Sequence, residues 1–291
     1  MSKPLDFKVP DRRRHPQAAL GIMLAALILI GGVTVCRPFD AQENPDESAT
    51  QVSSSSDVSL SGDVSSTERG ERSSCKTSTM NQAEARTRNL ERCAKALDGT
   101  VIKPGETFSF NDAVGEAGEE QGYEKATVLV DGEETEEPGG GICQVSTTLY
   151  IAAIEADLEI VERYAHTTPP DYAPIGLDAM VSFGYADLKF KNNTDDDLTI
   201  RVSAQGQTVS VVIEGLLLAE GIEIDAVSGV TKDYYEENDE GETTRHYETK
   251  SYRTVYEDGV ATSTEELATD YYEILESTVL NLKEGSVSAI K

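Results

Sequence analysis

Three consecutive glycines, Gly139, Gly140 and Gly141, run directly into Ile142-Cys143-Gln144-Val145-Ser146-Thr147-Thr148-Leu149-Tyr150. This stretch constrains the fold more than any other. Glycine has no Cβ, so the backbone here is free to turn sharply and to lie close against another group. Ile142, Val145, Leu149, Ala152 or Ala153, and Ala156 recur every three or four residues, which predicts a helix with one buried face. Cys143 then sits near the helix N-terminus, where free N–H groups and the positive end of the dipole favour a thiolate. A thiol so placed is a candidate nucleophile. A small buried cysteine beside a tight turn is the alternative reading.

The rest of the chain divides by composition. Lys3, Lys8, Arg12, Arg13 and Arg14 precede an uncharged run from Ala18 to Val35. About 18 such residues is near the minimum for crossing a bilayer. The basic flank predicts a cytoplasmic segment (1–17), a transmembrane signal anchor (18–35) and a C-terminal part outside the cell. A cleaved signal peptide is the competing reading, although no A-x-A-like site follows the run. Residues 36–74 are rich in Ser, Asp and Glu and poor in large apolar side chains, which predicts a disordered linker. A linker of that length reaches roughly 35 Å. The net charge of −28 argues against nucleic acid as a partner, since phosphate is repelled.

Beyond the linker the pattern is α+β. A helix is expected over Asn81–Leu97, ended by Asp98-Gly99. Strands are expected at Thr100–Lys103, Glu106–Phe110, Lys125–Asp131, Leu158–Arg163, Ala179–Phe183, Asp187–Lys191, Leu198–Ser203 and Thr208–Glu214. More strands with acidic turns should occupy Gly221–Tyr272. The predicted fold is a single extracytoplasmic domain with a largely antiparallel sheet around the Cys143 helix. A Cys75–Cys93 disulfide is possible outside the cell. With three histidines and no C-x-x-C, no metal site is expected, and no cofactor.

Lengths bring a histidine to the cysteine. The helix from about Gln144 to Ala156 is ~20 Å long, and an extended Leu158–Tyr164 covers ~23 Å. A strand folding back along the helix therefore ends beside the helix start, placing His166 near Cys143. An exposed loop histidine is the alternative. A thiol–imidazole pair needs a third, orienting group. Asp178 is the candidate, with Asp171 and Asp187 competing. The N–H groups of Cys143 and Gln144 are the expected oxyanion donors.

These residues resemble a VanW-family domain. The matching pieces are Arg86…Asn89…Ala94…Leu97-Asp98-Gly99, Pro104-Gly105-Glu106-Thr107-Phe108-Ser109-Phe110-Asn111, Gly122-Tyr123, and the block from Gly139 to Tyr150. They continue with Glu162-Arg163…His166, Gly176…Asp178-Ala179…Val181 and Asp187-Leu188…Phe190…Asn192. The resemblance assigns 75–215 to the VanW-like domain and leaves 216–291 as a β-rich C-terminal extension. Cys93 stands where the family usually carries alanine.

The family takes its name from an accessory gene of some vancomycin-resistance clusters. Some of its members are understood to be L,D-transpeptidases. The resemblance therefore implies a membrane-anchored, cysteine-dependent enzyme joining peptidoglycan stem peptides by 3–3 cross-links. Cys143 would be its nucleophile. Gly140, Gly141, Gln144, Ser146 and Thr147 are expected to line the stem peptide, and Arg163 to hold its carboxylate or to pair inside the fold. The cluster Glu116, Glu119, Glu120, Glu133, Glu134, Glu136 and Glu137 is either a lure for a cationic amine or a solvated surface. Two other classes stay open: a non-catalytic wall-binding module, and a cysteine peptidase or amidase of the wall.

Overall fold

The computed structural model describes residues 68–80, 83–130, 133–238, 241 and 243–275. The expected anchor at 18–35 and most of the expected linker lie outside them. No helix among the described residues is long and apolar enough to cross a membrane.

The elements run β1 (Arg69–Ser78), α1 (Glu84–Leu97), β2 (Thr100–Ile102), β3 (Thr107–Ser109), α2 (Phe110–Val114), β4 (Lys125–Val130), β5 (Glu133–Pro138), α3 (Ile142–Glu155) and β6 (Glu159–Glu162). They continue with β7 (Lys189–Lys191), β8 (Leu198–Gln205), β9 (Thr208–Leu216), β10 (Ile222–Glu237), β11 (Thr243–Glu257) and β12 (Val260–Leu275). The architecture is α+β, and every strand pairing among the described residues is antiparallel. Instead of one large sheet the described residues form four small ones: β1-β9-β8-β2, β10-β11-β12, β3-β7-β6 and the β4-β5 hairpin.

The core lies between α1, α3 and the four-stranded sheet. Leu198, Ile200 and Val202 of β8 and Val209, Val211 and Ile213 of β9 alternate inward, the period of a half-buried strand. On α1 the buried positions are Arg86, Asn89, Leu90, Cys93, Ala94 and Leu97, an amphipathic spacing with two polar residues on the apolar face. α3 departs from the expected single buried face, because every residue from Gln144 to Ile154 is buried. It packs on β1, β9, β10, β6 and α1. A helix surrounded this way must satisfy its own hydroxyls, and Thr148 does so by donating to the Gln144 carbonyl at 2.6 Å.

Several sequence expectations are corrected. Arg69–Ser74, assigned to the linker, already belong to β1, which pairs with β9 from Arg69↔Leu216 to Ser78↔Thr208. Its serines look like linker composition, yet its backbone is held by the ladder, and Ser73 donates to Ala152 O at 2.7 Å. Ala179–Phe183 is not a strand; it makes only the isolated bridges Tyr164↔Met180 and Ser182↔Ala186. The acidic segment before the glycines is strand β5.

The Cys75–Cys93 bridge does not form. Cys75 is disulfide-bonded, but Cys93 and Cys143 are free thiols. Cys93 lies on the buried face of α1, within electrostatic reach of Tyr123 and Cys143.

The three-stranded extension closes with a turn at Asp258 (φ 50°) and Gly259 (φ 76°), the two left-handed positions that an Asp-Gly hairpin turn accommodates.

Candidate active site

The glycine turn sets the start of α3 through two close approaches. At Gly140 an added Cβ would meet the Ala126 carbonyl oxygen of β4 at 2.6 Å, so only glycine fits. Gly141 caps the helix at φ 111° and lies under the Arg86 side chain, a left-handed conformation that L-residues resist. Cys143 follows as the second residue of α3, half-buried, with its sulfur 3.5 Å from the Val181 carbonyl oxygen. Of the two expected oxyanion donors, the Gln144 N–H is spent on the Gly141 carbonyl at 2.9 Å. The Cys143 N–H is left for that role.

After β6 the chain doubles back on itself. Met180 N donates to Tyr164 O at 2.8 Å, and two residues further along each leg His166 faces Asp178. The His166 backbone N–H donates to Asp178 Oδ2 at 2.8 Å, and His166 Nδ1 lies 2.6 Å from the same oxygen. With Nδ1 taken, Nε2 is the nitrogen left to face Cys143, and the thiol and imidazole lie close enough for each to shift the other's titration. The structure thus brings Cys143, His166 and Asp178 together, with His166 bonded to Asp178 and within electrostatic reach of the thiol. Asp171 instead accepts from Thr79 at 2.6 Å, and Asp187 from Ser109 at 2.6 Å and from the Asn111 N–H at 2.9 Å.

The electrostatics favour an ion pair. Burial works against the Cys143 thiolate, but the hydrogen bond and charge of His166, with Arg86 nearby, outweigh it and lower its pKa. Burial also works against the imidazolium, yet Asp178 and the thiolate raise His166 to about 10. Asp178 is fully buried; desolvation opposes its charge, and His166 and Arg163 more than offset that, so its pKa falls.

Three of the expected peptide-contacting residues do other work. Gln144, Ser146 and Thr147 are fully buried. Gln144 accepts from Arg86 at 2.9 Å and donates to Gln207 O at 2.9 Å. Ser146 donates to Ala179 O at 2.6 Å, and Thr147 accepts from Ala179 N at 2.9 Å. These hydroxyls pin the segment carrying Asp178 onto α3. Gly140 is also buried, and Gly141 is half-buried. Arg163, with its side chain 5% exposed, pairs inside the fold. It donates to Asp178 O at 2.5 Å, to Asp178 Oδ1 at 3.2 Å and to Asp270 Oδ2 at 2.5 Å.

Among the glutamates, Glu116, Glu119 and Glu120 line an open depression with Lys125 and Pro138, next to the glycine turn. Glu134, Glu136 and Glu137 lie on β5.

Sequence reasoning missed Arg86, Tyr172, Asp270 and Tyr272. Arg86 and Tyr172 lie within electrostatic reach of the thiol: burial lowers the Arg86 pKa and raises that of Tyr172, and the charge of Cys143 acts on both. A polar residue on the periodic apolar face of α1 was the available signal for Arg86.

The fold and the site define a class: an antiparallel α+β domain built around a cysteine–histidine–aspartate line at a helix start. Residues 85–214 match the family model described as VanW like protein, so over that stretch the chain is similar to VanW-family proteins. It is 43% identical over 130 residues to the uncharacterized protein YoaR of Bacillus subtilis, covering 45% of this chain and 43% of that protein. It is 36% identical over 126 residues to the Vancomycin B-type resistance protein VanW of Enterococcus faecalis, covering 42% of this chain and 46% of that one. The match therefore spans less than half the length of either relative. No solved structure matches the chain.

Proposed function

We propose that this protein is a cysteine acyltransferase of the cell wall, an L,D-transpeptidase that joins peptidoglycan stem peptides. It would be held at the outer face of the membrane by residues 18–35. The carrying observation is the His166 ring, held at Nδ1 by Asp178 and electrostatically coupled to the Cys143 thiol.

In this reading the Cys143 thiolate attacks the carbonyl of the third stem residue. The imidazolium of His166 protonates the departing D-alanine amine as the C–N bond breaks, leaving a thioester. The side-chain amine of a second stem attacks the thioester, His166 takes its proton, and a 3–3 amide forms as the thiolate is released. The Cys143 N–H at the helix start stabilises the oxyanion in both steps. The acidic depression beside the glycine turn suits a cationic amine acceptor. The vancomycin resistance for which the Enterococcus relative is named fits work on the same polymer.

The test is muropeptide analysis after incubating purified wall with wild-type protein and with Cys143→Ser. Dimers with 3–3 links, absent with the serine variant, are the expected result. Shortened stems without dimers would assign a peptidase or amidase. Unchanged muropeptides would leave a wall-binding module.

A further inference from the structure

We infer that the strand at the end of the extension, β12, is a working part of the site, with Tyr272 and Asp270 as positioning residues for the Asp178–His166 pair. The inference rests on the proposal that Cys143 and His166 form a reactive pair. It assigns a role to a segment lying beyond the matched residues 85–214.

The two oxygens of Asp178 have separate partners. Oδ2 receives the His166 backbone N–H and faces Nδ1. Oδ1 receives the Tyr272 hydroxyl at 2.5 Å and Arg163 at 3.2 Å. A buried carboxylate held on one oxygen only can swing about its terminal torsion, which is soft and two-fold. Holding Oδ1 therefore fixes the direction in which Oδ2 points at the imidazole.

Tyr272 is fully buried, and its oxygen also accepts the Gly176 N–H at 3.0 Å, so it orients both the loop and the carboxylate. Asp270 reaches the same point through Arg163. On the other side of His166, Glu273 N donates to Thr167 O at 2.8 Å and Thr168 donates to Glu273 O at 3.1 Å. β12 thus grips the residues before Asp178 and those after His166. The fit is close: an added Cβ at Gly176 (φ 93°) would meet Thr249 Oγ1 of β11 at 3.0 Å and Ser228 of β10 at 3.2 Å.

The experiment uses the full chain carrying Tyr272→Phe. Asp270→Asn is the second variant, because it leaves Asp178 its tyrosine if the phenylalanine variant fails to fold. The exposed neighbour Tyr271→Phe is the control. One measurement is the rate of Cys143 alkylation by iodoacetamide across pH. The other is the proton resonance of His166 Nδ1–H, which a hydrogen bond this short moves far downfield.

In folded Tyr272→Phe the resonance should broaden or vanish, and alkylation at neutral pH should slow roughly ten- to a hundredfold. Asp270→Asn should slow it less, and Tyr271→Phe not at all. Folded variants that keep both the wild-type resonance and the wild-type pH profile overturn the inference. An unreactive Cys143 in the wild type would instead defeat the acyltransferase reading, and the resonance would still decide the role of β12.

Discussion

His166 meets Asp178 through two of its own nitrogens: the backbone N–H at 2.8 Å and ring Nδ1 at 2.6 Å converge on one carboxylate oxygen. The double contact fixes both the position of the residue and the rotation of its ring, so Nε2 is aimed without any substrate present. Arg163 and Tyr272 hold the other oxygen. Asp178→Asn should break this alignment, because an amide offers only one acceptor oxygen and places an NH2 against a donor. The buried Arg163 loses part of its counter-charge, though Asp270 remains. We expect a loss of about 3 kcal/mol, the low end for breaking a buried pair. The remaining folded protein should show strongly slowed Cys143 alkylation. Urea denaturation and alkylation kinetics on the same sample check both effects, and wild-type alkylation in folded Asp178→Asn would remove Asp178 from the line.

The thiol and the imidazole set a pH window. The Cys143 pKa is lowered and that of His166 raised to about 10. As pH rises through the lowered thiol value the pair becomes thiolate and imidazolium, and it stays so until about pH 10. Iodoacetamide alkylation should therefore level off well below the ordinary thiol range. Acyl transfer, which also needs the imidazolium as acid, should fall again near pH 10. Cys93 provides an internal reference: it is fully buried, burial pushes its thiol far up, and it should react only on unfolding. A midpoint for Cys143 at the usual ~8.5 would count against the ion pair.

Gly140→Ala isolates the role of the turn. The new methyl would lie 2.6 Å from the Ala126 carbonyl oxygen and 2.9 Å from its carbon, atoms of a paired strand that do not give way easily. Overpacking of this kind costs about 1–3 kcal/mol. The strain would be relieved by moving the first turn of α3, which carries Cys143. Thermal unfolding should show the loss, and alkylation at neutral pH should slow in the protein that remains folded. An alanine variant with wild-type stability would mean that the backbone shifts more freely here than the contact implies.

How far the sequence revealed this arrangement depends on the range of each interaction. The α3 start was legible because glycines and a three–four periodicity are local signals. His166 was legible because helix length and returning-strand length match. Asp178 was one of three candidates; the register at Tyr164↔Met180 decides among them, and an isolated bridge leaves no alternating pattern to read. β1 was hidden because Arg-Gly-Glu-Arg-Ser-Ser is linker-like in composition and owes its strand to pairing with β9, far along the chain. Ser146 and Thr147 were misread as facing a ligand, since polar residues on a helix are usually outside. Here α3 is enclosed and its hydroxyls bond to Ala179. Tyr272 had no signal, because its partner Asp178 is 94 residues away.

The junction of α3 with β10 supplies a prediction independent of the thiol. Glu155 ends α3, at the negative end of the helix dipole. Burial first, and then the charge of Asp225, raise its pKa to about 8, partly relieved by a hydrogen bond from the Ala226 backbone. The folded value stands above the unfolded ~4.3, so the folded state binds the extra proton. Stability from this group is greatest below the unfolded value and is lost as pH rises toward about 8. Glu155→Gln keeps an acceptor for the Ala226 N–H and never ionises. It should match the wild type near pH 4 and exceed it by about 1–2 kcal/mol at pH 8, a figure discounted for the part of the side chain that meets solvent. Urea denaturation at the two pH values measures the difference, and an equal increment at both would show that folding does not raise the Glu155 pKa.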